Sequence, residues 1–341
     1  MTKALPLRPY VYRKREFLRG PTPLSWEDWR KSHDGFKRSG SKQQERWQLT
    51  YLHSIKSLEY IARFVSRKLT SAGKPAGVSI QSVWIDGTPQ VKGFLPSGNP
   101  LAACELADLL FIVNHTDRAG TTLRRTGLLI QGKTGKRHNA LPSNHSTKKE
   151  RLLLEGLDRT RPLSVYRDTQ TKSLLGDYIL GKGSGLVDCA RYLVMAKNKQ
   201  WQDCPICNPL EPLQVGWPTS RASAALQDPI SFICAMLEMS MGSTLGRPIQ
   251  DRANLLGCEW SRMVWDLLGS YDPVIMQGYR RQRRVYKSGV VSFLSTQNEK
   301  VLPPPSSAIP VPEGFDTPPA ISVIQLNVRD MEIDEVKRGF D

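Results

Sequence analysis

An α/β protein is what the sequence predicts: a small mixed sheet flanked by helices, with a mostly helical, basic C-terminal extension. Three observations lead there. Two apolar runs, residues 109–113 and 128–130, are bounded by polar and turn-forming residues and are too short for typical helices, so they read as buried strands. Upstream, Trp47, Tyr51, Ile55, Leu58, Ile61, Ala62 and Val65 recur at three- and four-residue spacing, as one apolar helix face does. Downstream, residues 228–241 and 260–268 repeat that helical spacing.

Composition narrows the partners. The 48 Lys and Arg against 32 Asp and Glu leave a formal charge of +16, which favours a polyanion. Nucleic acid is the first expectation and an anionic membrane surface the second, although no basic amphipathic helix supports the latter. No run approaches the roughly 18 apolar residues of a membrane span. The first residues lack the apolar core of a secretory signal, and the six cysteines are scattered. A reducing compartment, the cytoplasm, is therefore expected.

Four segments are expected. Residues 1–42 form a basic, aromatic arm that includes Arg8, Tyr10, Tyr12, Phe17, Trp26 and Trp29. Its aromatics could stack on bases, or simply pin an extended segment to the domain, with Ser25 capping a short helix over 26–31. Residues 43–170 form the core. Its helix ends at the Gly-Lys-Pro of 73–75, and Glu59, off the apolar stripe, is read as exposed or salt-bridged. Alternation over 77–84 predicts a strand, 86–89 a turn, and 91–95 another short strand.

The centre follows. Asp108 leads into the first apolar run, and Gln131-Gly132-Lys133 closes the second. The polar interval 115–125 is expected to be a hairpin loop. Residues two apart on a strand share a face, so Gln131 and Lys133 point the same way, and Asp108 on the neighbouring strand can join them.

Asp108 together with Gln131-Gly132-Lys133 resembles the signature of the PD-(D/E)XK nuclease superfamily, which includes many restriction enzymes. A glutamine stands where an acid is usual, a variant similar to the Q-x-K form of Mrr-like nucleases. The resemblance spans roughly residues 45–170. It implies a restriction-endonuclease-like core and metal-dependent cleavage of DNA, in restriction or antiphage defence. Mg²⁺ or Mn²⁺ would be the cofactor, and further subunits of a defence complex or a second copy would be possible partners.

Under that resemblance Asp108 is the main metal ligand, and Gln131 and the Gly132 carbonyl add neutral oxygens. Lys133 holds the attacking water or screens the transition state. Glu105 could supply a second carboxylate. Its offset of three from Asp108 would demand an irregular backbone. The ordinary alternative is an amphipathic sheet edge, with Asp108 paired to Lys133 and Gln131 exposed. Two other functions compete with cleavage: a non-catalytic nucleic-acid binder on the same fold, and a scaffold in a larger assembly.

A helix over 148–157 and a strand over 162–166 complete the expected core. The extension, 171–300, carries a strand at 192–196 and the densest basic run of the chain. Within that run Arg280, Arg281, Arg283, Arg284 and Lys287 suit phosphate contact, as do Lys136 and Arg137 beyond the central strand. Residues 301–341 form a proline-rich linker and a tail with one strand-like piece at 321–326. Cys189, Cys204 and Cys207 have part of a zinc site's spacing but no second pair. His33, His53, His115, His138 and His145 fit no triad. Of these, His115, His138 and His145 are expected in loops near the centre. Lys182, in a Gly-rich turn, lacks the order of a phosphate loop.

Overall fold

The computed structural model describes residues 21–84, 89–168, 170–201, 211–255, 257–269 and 320–332. A helical region comes first: α1 (Trp26–Arg38), α2 (Gln44–Leu52) and α3 (Ile55–Ser71). Ser25 caps α1 by accepting from the Asp28 amide, as expected, and the helix runs longer than foreseen. The single helix expected through Trp47 to Val65 is instead two. The Ser54 hydroxyl accepts from the Ser57 amide and starts α3 afresh, so the chain turns at His53 and Ser54.

The main sheet holds β1 (Ala76–Val83), β4 (Leu109–Thr116), β5 (Thr122–Gly135), β8 (Ala190–Ala196), β9 (Leu213–Pro218), β10 (Leu226–Ser231) and β12 (Ser322–Asp330). Their spatial order is β1-β12-β4-β5-β8-β9-β10, and the two-residue β11 (Arg247–Pro248) pairs with β5. The sheet is mixed: β12 runs parallel to β4, and β8 parallel to β5, while the remaining pairs are antiparallel. A second, four-stranded sheet combines β2 (Gln90–Lys92), β3 (Cys104–Glu105), β6 (Leu163–Tyr166) and β7 (Leu174–Tyr178) in the order β3-β2-β6-β7. Helices α4 (His145–Gly156), α5 (Phe232–Met241) and α6 (Glu259–Leu268) complete the described fold. The chain is thus α/β, a mixed sheet flanked by helices. Beyond residue 170 the described chain contributes strands as well as helices, so the mostly helical extension is not what these residues form. Among the described residues no helix is long and apolar enough to cross a membrane.

Alternation divides the main sheet into two cores. Leu109, Phe111, Val113, Leu128, Ile130, Leu193, Met195, Ile324 and Leu326 pack on one side with Leu58, Ile61 and Val65 of α3 and Met236 of α5. Leu110, Ile112, Leu129, Val194 and Val323 pack on the other with Leu153 and Leu154 of α4 and Met263, Val264 and Leu267 of α6. Strands buried on both faces read as continuous apolar runs rather than alternating ones, which explains the two runs at the centre of the sequence.

Several expectations need correction. The polar interval 115–125 is mostly strand, because β4 and β5 extend through it as a long antiparallel hairpin with only the residues around Asp117 and Gly120 in the turn. His115 consequently lies within β4, bonded to Asp330 through Nε2 at 2.7 Å, seven residues beyond Asp108 and so roughly 23 Å away along an extended strand. Glu59 is only 3% exposed; it is buried on α3. Residues 163–166 do form a strand, but in the second sheet; the neighbour of β5 in the main sheet is β8. The strand-like tail piece is β12, which fills the gap between β1 and β4. The basic run carrying Arg280, Arg281, Arg283, Arg284 and Lys287 lies outside the described residues, as do Cys204 and Cys207. Cys189 is a buried free thiol.

Candidate active site

Asp108 stands one residue before β4, with its amide donating to the Ile130 carbonyl at 3.0 Å. That bond fixes it opposite the end of the apolar part of β5. Its Oδ2 accepts from Gln131 Nε2 at 2.5 Å and from the Gly132 amide at 2.8 Å. Gln131 and Lys133, two apart on β5, share the α4 side of the sheet as alternation requires. Gln131 is fully buried and Lys133 is 4% exposed, so the simple exposed-edge picture fails for both.

Lys133 does not pair directly with Asp108 among the ion pairs of the described residues. Its Nζ lies 3.0 Å from Glu150 Oε2 on α4 and 3.2 Å from Glu45 Oε1 on α2. Glu150 is almost wholly buried and accepts from the Ser146 hydroxyl through its other oxygen. Glu45 is about one-third exposed and also accepts from the Thr134 amide. Burial opposes the charge on Lys133, but the carboxylates of Asp108, Glu45 and Glu150 outweigh it and raise its pKa. Burial also pushes the Asp108 carboxyl well above the usual carboxylate range. Lys133 and the Gly132 amide pull the other way, and Glu45 and Glu105 add to the rise.

Sequence reasoning missed Glu45 and Glu150. Both lie on helices, far from the central strands in sequence, and no spacing rule connects them to Lys133. A glycine helps bring Glu45 in. A Cβ on Gly132 would sit 2.9 Å from Cδ2 of Leu49, so the missing side chain lets α2 lie close on β5. Glu105, by contrast, belongs to β3 of the second sheet, opposite Gln90, and its charge acts on Asp108. Lys136 and Arg137 are exposed just past β5. His138 packs edge-on to Trp201, and His145 opens α4.

The donor set can be tested against a hard divalent cation. The buried Gln131 Oε1 has no hydrogen-bond partner among the described residues, although its amide nitrogen is bonded. Leaving a buried carbonyl oxygen unmatched costs about 1–3 kcal/mol, and a cation beside the Asp108 carboxylate would remove that cost. Among the described residues no three His, Cys, Asp or Glu side chains converge on one point. Asp108 with one amide oxygen suits Mg²⁺, which keeps several of its waters and needs few protein ligands. The residues present fit the ion.

Comparison with protein-family models, curated proteins and solved structures yields no match.

Proposed function

We propose that the chain is a metal-dependent nuclease acting on DNA phosphodiester bonds, with its centre at Asp108, Gln131, Lys133 and Glu45. The observation that carries this reading is the unmatched Oε1 of Gln131, buried within the parallel pairing of β5 and β8 on a residue whose amide nitrogen donates to Asp108. Asp108 and Gln131 would hold Mg²⁺ or Mn²⁺, and Glu45, about one-third exposed and acting on Asp108 through its charge, is a further carboxylate that could join them. The bound ion supplies Lewis acidity toward a phosphoryl oxygen and lowers the pKa of its water. Lys133, kept charged by its neighbours, offsets the negative charge that builds on the phosphate. The +16 formal charge supports a polyanionic substrate. Membership of the PD-(D/E)XK superfamily, a role in restriction or antiphage defence and a cytoplasmic location belong to the same proposal.

Supercoiled plasmid, incubated with the full chain and Mg²⁺ or Mn²⁺, tests it. Nicking by wild type that disappears in both Asp108→Ala and Lys133→Ala is expected. Wild type inert with either ion, or variants as active as wild type, would sink it.

The second reading, a nucleic-acid binder without catalysis, draws on the same site. Gln131 replaces an acid, and Glu45 and Glu150 both engage Lys133 rather than converge with Asp108. It predicts plasmid binding without nicking.

A further inference from the structure

Six exposed cations border the candidate centre, drawn from three separate stretches of chain. Lys42 and Arg46 flank the start of α2, Lys136 and Arg137 follow β5, and Lys197 and Lys199 follow β8. Backbone contacts tie these stretches together. The Lys197 amide donates to the Gly135 carbonyl at 2.9 Å, and Gln44 Nε2 donates to the Lys197 carbonyl at 2.9 Å. Trp201 Nε1, beyond Lys199, also donates to Gly135 at 2.9 Å. The cations thus gather around the carboxyl ends of the parallel strands β5 and β8, where open α/β sheets ordinarily bind ligands. Glu45, on the same turn of α2 as Arg46, points instead into the centre at Lys133 and Thr134.

Among the described residues, Lys42, Lys136, Arg137, Lys197 and Lys199 make no ion pair with a carboxylate. Elsewhere on the described surface some cations are matched to an acid, as Arg118, Arg159 and Arg262 are, and others such as Arg67 and Lys68 are not, so clustering at the strand ends is what sets the rim apart. Positive charge concentrated without counter-charge raises the free energy of the free protein, and a polyanion relieves it while releasing its own counterions.

We infer that this rim is the track for the phosphate backbone of a DNA duplex, laid across the strand ends beside the part-exposed Glu45. The inference rests on the nuclease reading for its choice of DNA, and it assigns Lys42, Arg46, Lys197 and Lys199 to the interface alongside Lys136 and Arg137. These contacts carry no base specificity; they set register and affinity.

Binding of a labelled 30-base-pair duplex to the full chain, in chelator and across a salt series, reads the track without any cleavage. In Lys136→Gln/Arg137→Gln/Lys197→Gln/Lys199→Gln, the slope of log K against log salt should become shallower by about 1 for each cation that touched a phosphate. Affinity near 0.1 M salt should drop by at least about 30-fold. Arg67→Gln/Lys68→Gln on α3 should bind as wild type does. An unchanged slope and affinity in the fourfold variant would overturn the track, placing DNA elsewhere on the chain. So would wild type that binds anionic vesicles and not DNA. Intact duplex binding with no nicking would remove the nuclease reading and leave the track standing.

Discussion

The ammonium of Lys133 and the carboxylate of Glu150 meet at 3.0 Å with almost no solvent around either, joining the carboxyl end of β5 to α4. Removing one partner of such a pair costs about 3–5 kcal/mol where the other charge is left stranded, and Glu150→Ala falls at the lower end because Lys133 keeps Glu45 at 3.2 Å. Glu150→Ala should therefore lower the unfolding free energy by that order in denaturant titrations. Replacing both partners, Lys133→Met with Glu150→Leu, should recover most of the loss. A double variant less stable than Glu150→Ala would show that the pair itself, rather than the stranded charge, matters.

Gly132 sets how closely α2 approaches the sheet. In Gly132→Ala the new methyl meets Leu49 at 2.9 Å and Met195 at 3.2 Å, both buried. Overpacking of this kind costs about 1–3 kcal/mol, and it should lift Glu45 away from Lys133. The melting temperature is expected to fall and any nicking activity to drop with it. Adding Leu49→Val should restore stability beyond the sum of the two single effects, because the sites touch.

Glu211 gives the fold a dependence on pH. Burial pushes its carboxyl from 4.5 up to about 7, and a hydrogen bond with Ser231 only partly offsets this. The folded chain thus holds the proton more tightly than the unfolded one. Its contribution is complete below about 4.5 and is lost as pH rises toward about 7. Melting temperatures at pH 4.5, 5.5, 6.5 and 7.5 should separate wild type from Glu211→Gln progressively, with wild type falling faster. Parallel curves would exclude Glu211 as the source.

β12 is paired on both sides from Val323 to Arg329, and its residues Val323, Ile324 and Leu326 are buried. Proline at Ile324 would remove a ladder donor opposite Ser82 and Phe111 and cannot be accommodated in a central strand. Ile324→Pro should lose the near-ultraviolet circular dichroism of the native chain and elute as aggregate. A soluble, native-like spectrum would mean that the sheet survives without this strand.

Much of this architecture was legible from local pattern. The Ser25 cap, the strand at 76–83, the central pair, α4 and α6 all followed from periodicity and end signals, because those forces act between near neighbours. The meeting of Asp108 with Gln131 was legible too, since alternation along β5 and a hairpin register suffice to define it, whereas Lys133 turns to Glu45 and Glu150 and Gly132 offers Asp108 its amide rather than its carbonyl. Glu45 and Glu150 were not, because helix packing brings them to Lys133 across gaps of 88 and 17 residues. Glu59 was misjudged because α3 is covered by α5 as well as by the sheet, which widens its buried face beyond one stripe. The break at His53 and Ser54 was hidden by an apolar rhythm that continues through both helices. The place of the tail strand was not legible, since nothing local reveals that β1 and β4 leave a slot between them.

That slot has a temporal side. The registry of Leu109 with Ser322 joins segments roughly 200 residues apart. At translation rates of about 5–20 residues per second, β1 and β4 would wait some 10–40 s after emerging from the ribosome before their shared neighbour exists. For that interval two apolar strands present open edges to the cell, a form that chaperones capture and that other nascent chains can join. Nor can the bed on which Asp108 rests be finished sooner, so maturation of this sheet waits on a strand made long after its two neighbours.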